Sequence, residues 1–266
     1  MNIEAANLRS IVVFLLSVLY QSSSGSALAS KLESRGASDS GYELLQFDFE
    51  TDKSTVQVSR FGLKVTNLKG GTVIVCTPPK WEVVAYSTSA KRICRTDWQH
   101  FNGEYRVFFR IFQKPGFSDI PLEKKTTSKT IKGLAVECSH STEAFKTKQI
   151  LGFVHKEVKG NYPAIVEYCT CRKLPSSPQI EFVLRRLYDM PQAPGVPIGL
   201  TYRRVDQVVE SELETLKVSA KRFTAEDFKI PSGLQPVENI AAIRADQGSV
   251  DTAAGFIDSV SKIKPR

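Results

Sequence analysis

Histidine, tryptophan and methionine are scarce in this chain, with three, two and two copies among 266 residues. His100, His140 and His155 leave little material for a multi-histidine metal centre or a histidine-based nucleophile relay. No G-x-S-x-G, H-E-x-x-H, G-x-G-x-x-G or phosphate-loop pattern occurs, so no motif-bearing hydrolase, metalloprotease or nucleotide site is spelled out. Long apolar runs are also missing. The one strongly apolar stretch, Ile11–Leu19, is nine residues long. At about 1.5 Å per residue it is too short for a hydrocarbon core of about 30 Å, which excludes a polytopic membrane protein.

What is present suits a globular fold. Apolar residues make up 41% and charged residues 24% of the chain. That excludes collagenous and disordered classes and leaves one domain, or at most two small ones. The net charge is +8. Residues 80–114 hold seven basic and three acidic side chains, and 121–160 hold eight Lys against four Glu. Residues 205–229 reverse the balance, with six acidic and four basic. Such basic stretches suit a solvated face, anionic lipid or an envelope polymer, with no sign of specific nucleic-acid recognition.

Residues 1–29 read as a secretory signal peptide. Arg9 precedes the apolar core, QSSSGS follows it, and Ala27 and Ala29 form the small-x-small pattern before Ser30. No Cys precedes Cys76, so the expectation is an exported protein, periplasmic or extracellular, that carries no N-terminal lipid. Residues 30–41 are polar and Ser/Gly-rich, and read as a flexible leader.

From Tyr42 to Cys171 the pattern is strand-like. The runs are 42–50, 55–67, 72–76, 81–87, 91–97, 104–112, 129–138, 148–158 and 164–171, separated by turn residues. Connectors this short imply an antiparallel meander. Ser176-Ser177-Pro178-Gln179 then supplies a Ser cap, a first-turn Pro and a capping-box Gln. Ile180, Val183, Leu184 and Leu187 share one face of the helix that follows, with Arg185 and Arg186 on the other. Met190-Pro191 ends it. Strands return over 196–204 and 213–223, and Phe256, Ile257, Val260 and Ile263 fit a helix in the tail, 237–266.

The five cysteines are Cys76, Cys94, Cys138, Cys169 and Cys171. In a sequential meander another strand separates Cys76 from Cys94, and Cys138 from Cys169, by roughly 9–10 Å. A bridge needs Cα atoms within about 7 Å, so free thiols are expected. Cys138, His140, Cys169 and Cys171 make a poor chelate, because C-x-C on a strand sets the Cα atoms about 6.6–6.8 Å apart. No metal, cofactor or catalytic residue is assigned.

The end of the chain reads A-P-G-V-P-I-G-L (193–200), LETLKVSAKRF (213–223), then Asp227-Phe228-Lys229-Ile230-Pro231-Ser232-Gly233-Leu234. This order resembles an exported bacterial family built on the fold of the periplasmic outer-membrane lipoprotein carriers. In that family a GxPL strand and a polar–apolar strand precede a closing D-x-F-x-x-P-x-G-Y/L turn. Asp227, Phe228, Pro231 and Gly233 match that turn, with Asp one residue closer to Phe. AIVEYCTC resembles the family's E-Y-W strand with Cys169 in place of Trp, and residues 81–98 resemble its hairpin without the Asn-Pro. The resemblance spans residues 42–236. It implies a mainly β fold, an open half-barrel of curved antiparallel sheet with one or two helices on its concave side. Phe228 is expected to plug the end of that sheet. The function it implies is non-enzymatic envelope work on a hydrophobic ligand, such as a lipid. The alternative from the residues alone is a cell-surface interaction module with a filled core and no small-molecule ligand.

Overall fold

The computed structural model describes residues 39–49, 52–103, 117–141, 163–204 and 207–244. Ala27, Ala29, Ser30, the runs 104–112 and 148–158, and the tail positions 256–263 lie outside the described residues.

Alternating apolar residues build twelve strands: β1 (Asp39–Asp48), β2 (Asp52–Ser59), β3 (Gly62–Asn67), β4 (Thr72–Cys76), β5 (Glu82–Ser87), β6 (Arg92–Asp97), β7 (Thr127–Ile131), β8 (Leu134–His140), β9 (Pro163–Cys171), β10 (Val196–Arg204), β11 (Val209–Phe223) and β12 (Gln235–Pro236). The first begins at Asp39, three residues inside the stretch that reads as leader. Two runs that look continuous in sequence are hairpins. The 55–67 run breaks at Arg60-Phe61, where Ser59 Oγ accepts from Phe61 N–H at 3.1 Å. The 129–138 run breaks at Lys132-Gly133, both with positive φ (49° and 84°), the geometry of a two-residue hairpin turn.

The strand order is β12-β6-β5-β4-β3-β2-β1-β11-β10-β9-β8-β7. One sequential meander is therefore not what forms. β1–β6 meander outward on one side of β1, while β7–β11 meander back and seat β11 antiparallel to β1 along its whole length. The sheet is open, with β12 and β7 at its two ends. This is the mainly β, half-barrel class that the sequence implies.

The new topology corrects the cysteine expectation. β8 and β9 are direct neighbours with Cys138 opposite Cys169, and the two form a disulfide with Cα atoms 4.0 Å apart. No strand intervenes, so the distance objection fails for this pair. It holds for Cys76 and Cys94, on β4 and β6 with β5 between them, and both stay reduced, as does Cys171.

Helix α1 (Pro178–Tyr188) starts as its sequence suggests: Ser177 caps it by accepting from Ile180 N–H at 3.3 Å, with Pro178 in the first turn. Glu181, in the first turn, accepts from the Ser176 hydroxyl at 2.9 Å and from Gly195 N–H at 2.8 Å, which ties the start of the helix to the residue before its cap and to the chain leading into β10. Asp189 in the left-handed conformation stops the helix. Ile180, Val183, Leu184, Leu187 and Tyr188 are buried against the inner face of the sheet.

That packing requires the sheet to curl. α1 lies on β10, yet Phe182 meets Trp98, just past the end of β6, with ring centroids 5.3 Å apart. β6 and β10 are seven positions apart in the sheet, about 34 Å if it were flat. A helix about 10–12 Å across bridges them only if the sheet wraps around it. Gly103 adds the close approach: a Cβ there would sit 2.1 Å from the Arg186 carbonyl oxygen.

After β11 the chain straps the free edge. Phe223 and Phe228 (centroids 5.8 Å apart) pack with Val75, Val84, Tyr86 and Ile93 on the outer face. β12 then runs parallel to β6. Ile240 and Ile243, the latter in the short helix α2 (Ala241–Arg244), return to the inner core.

Candidate functional site

Register turns the inner face into rows of side chains. Leu44, Val56, Val65, Ile74, Ala85 and Cys94 lie directly opposite one another across β1 to β6. Toward the start of β1 lies a parallel row of Tyr42, Val58, Leu63, Cys76 and Val83. Two residues in the other direction the chemistry changes. Gln46 lies opposite Thr215 and Ser54, Ser54 opposite Asn67, and Thr72 opposite Ser87. All six are buried. Apolar rows thus give way to a buried polar band near one end of the sheet.

Part of the band closes turns. Asn67 Oδ1 accepts from Gly70 N–H, and Ser87 Oγ accepts from Ala90 N–H at 3.3 Å. Gln46 is different. Its amide nitrogen donates to Pro197 O (2.8 Å) and to Thr215 Oγ1 (3.1 Å), whose own hydrogen goes to Ile198 O (2.6 Å). Since both partners accept, the amide orientation is set, and Oε1 is left buried with no hydrogen-bond partner among the described residues.

Tyr168, opposite Leu200 and Ser139, is a second such group. Its side chain is buried under α1, and its hydroxyl has no partner among the described residues. Burial pushes the phenol far above its usual range; the Arg185 guanidinium pulls it down and the Glu181 carboxylate pushes it up. The hydroxyl therefore stays protonated and can donate. Arg185 Nε is likewise buried and without a partner among the described residues. Each such group carries a desolvation cost of about 1–3 kcal/mol until something bonds it.

Several titratable side chains among the described residues are held in surface pairs. Lys129 Nζ (2.5 Å) and His140 Nε2 (3.2 Å) share Glu167 Oε1 on the surface, and His100 Nδ1 lies 4.0 Å from Asp97 Oδ1. No cluster of three or more metal-ligating side chains occurs among the described residues. Cys138 and Cys169 are tied to each other, and Cys171 donates its S–H to Ala135 O at 3.4 Å. Burial pushes the Cys76 thiol up to about 12, with Asp97 adding to the effect, so it is inert. Thiol titration under denaturing, non-reducing conditions should find three free thiols per chain, and five after reduction. Five without reductant would show that the bridge is absent.

The four closing-motif residues lie on one short segment after β11, with different surroundings. Phe228 is buried on the outer face of the sheet rather than plugging its end. Asp227 Oδ2 accepts from Thr224 N–H (2.7 Å) and the Thr224 hydroxyl (3.0 Å), and its carbonyl accepts from Lys64 Nζ (2.9 Å). Pro231 and Gly233 form the exposed turn, with Gly233 at φ +77°. Neither Gln46 nor Tyr168 is marked as a site residue by any sequence motif, and Arg185, on the helix face opposite the apolar stripe, has its Nε buried. Gln46 and Tyr168 sit at alternating inward positions of apolar strands, and that oddity was the available signal.

No family model and no curated protein matches this chain. Among solved structures it is similar to an uncharacterized conserved protein from Thermus thermophilus. Identity is 13%, covering 81% of this chain and 99% of that one, with a TM-score of 0.38. A likeness that distant carries no argument.

Proposed function

We propose that this is a non-enzymatic exported envelope protein that holds a hydrophobic ligand with a polar end against the inner face of its half-barrel. One observation carries the reading. Apolar rows beneath α1 run into a buried polar band that holds Gln46 Oε1, and the Tyr168 hydroxyl lies on β9 under α1; both atoms are buried without partners among the described residues. In polarity the first environment matches an acyl chain and the second an ester, amide or hydroxyl head.

The test is lipid extraction and mass spectrometry of protein purified from an exporting host. Near-stoichiometric lipid is expected, on a chain whose N-terminus begins at Ser30. Tyr168→Phe should retain several-fold less lipid while melting no lower, since it removes only a hydroxyl without a partner among the described residues. Equal retention would refute the polar end. Absence of lipid would favour a second reading, an interaction module with a filled core. Its support is the seating of Met190, Phe117, Ile120, Leu174, Ile240 and Ile243 with α1 in the inner cluster.

A further inference from the structure

We infer that the polar end of the ligand is the carboxylate of a fatty acid, held by the Tyr168 hydroxyl and the Arg185 guanidinium beside α1. This rests on the ligand reading and narrows it to an ionised head. Glu181, Arg185 and Tyr188 follow one another at i, i+4 and i+7, so they form one row along α1. A Glu four residues ahead of an Arg is the favourable order for an ion pair. Here both Glu181 oxygens are used elsewhere: Oε1 accepts from the Ser176 hydroxyl at 2.9 Å and Oε2 from Gly195 N–H at 2.8 Å. Among the described residues Arg185 therefore makes no ion pair, and its Nε is buried without a hydrogen-bond partner.

Tyr168 lies deeper, in the inner cluster with Leu184, Leu187 and Tyr188. It is 1% exposed, and its hydroxyl has no partner among the described residues. The charges of Arg185 and Glu181 both act on the phenol, which puts it beside their row of the helix. Arg185 is half-buried, so the site reaches the surface at the guanidinium. Leu200 and Leu213, both buried, continue the line from Tyr168 across β10 and β11 as apolar surface. Gln46 Oε1 is an acceptor three strands away on β1 and belongs to a separate position.

The occupant follows from what these groups lack. Both are donors, one of them is a cation, and neither has an acceptor. A water or an ester carbonyl would accept a hydrogen bond but leave the guanidinium charge uncompensated. A carboxylate brings two acceptor oxygens and the opposite charge, and its bonds to such donors are charge-assisted. A phosphate monoester carries up to two negative charges, more than one guanidinium balances with the Glu181 carboxylate in the same row. A singly charged acid on an acyl chain is the chemistry that matches.

The test is titration of the delipidated mature chain with palmitate, methyl palmitate and hexadecyl phosphate. Palmitate should bind at least about tenfold more tightly than its methyl ester, the scale of one charge-assisted hydrogen bond. Arg185→Gln should abolish that preference while leaving the ester affinity as it is in the parent, which shows that the variant is folded. Arg186→Gln, on the exposed neighbour stacked over Phe182, controls for net charge and should keep the preference. Equal affinity for acid and ester in the parent overturns the carboxylate site and leaves the ligand reading standing. So does a preference that survives Arg185→Gln, or hexadecyl phosphate binding more tightly than palmitate. Binding of none of the three probes overturns both.

Discussion

Phe228→Ala should lower stability by about 3–5 kcal/mol, the range for emptying a buried aromatic site. For a domain of this size that is a fall of about 6–20 °C in melting temperature. The side chain is enclosed by Phe223, Val75, Val84, Tyr86 and Ile93. The Thr224–Asp227 capping pair and Lys64 hold the segment in place. Loss of the ring also frees the strap that pairs β12 with the β6 edge, so the effect reaches Ile240 and Ile243. Lys221→Ala is the contrast. Its ammonium pairs with the Glu43 carboxylate at a partly exposed site, a geometry worth at most about 1 kcal/mol. Burial works against the Glu43 carboxylate, but hydrogen bonds from Lys221 and Gln57 outweigh it and lower its pKa. That small contribution is present above the ordinary glutamate range and is lost as pH falls through the lowered value. Equal melting temperatures for the two variants would show that the motif does not pack.

Breaking the Cys138–Cys169 bridge is the second large effect. The cysteines are 31 residues apart, and freeing a loop of that length costs about 3–4 kcal/mol through the unfolded chain. The double variant Cys138→Ser, Cys169→Ser should therefore unfold at markedly lower denaturant than the parent. Reductant should lower the parent to the same midpoint and leave the variant unmoved. A parent midpoint indifferent to reductant would contradict the bridge.

The elements set by local chemistry were legible. Ser177, Pro178 and the spacing of Ile180, Val183, Leu184 and Leu187 define α1 because capping and a helical stripe are short-range properties. The hairpin at Lys132-Gly133 was hidden because the residues on both sides are equally strand-prone, and only the positive φ of two adjacent residues marks the reversal. The Glu181 contacts were hidden for a different reason: Gly195 lies beyond the end of the helix, and only packing brings it back.

By itself the sequence determined that this is an antiparallel β protein with one capped amphipathic helix, since alternation and tight connectors leave little else. Tertiary structure alone decided which strands are neighbours. β1 can pair with β2 through a local turn, but its other edge is filled by β11, more than 160 residues further on, and no local property of Leu44 or Val218 announces that choice. The same long-range pairing puts Cys138 opposite Cys169 and lines up the polar band from Thr215 to Gln46 and Ser54. Each of these is a register fact. Register is set by burial of a shared inner face, and that face exists only once the sheet has curled around α1.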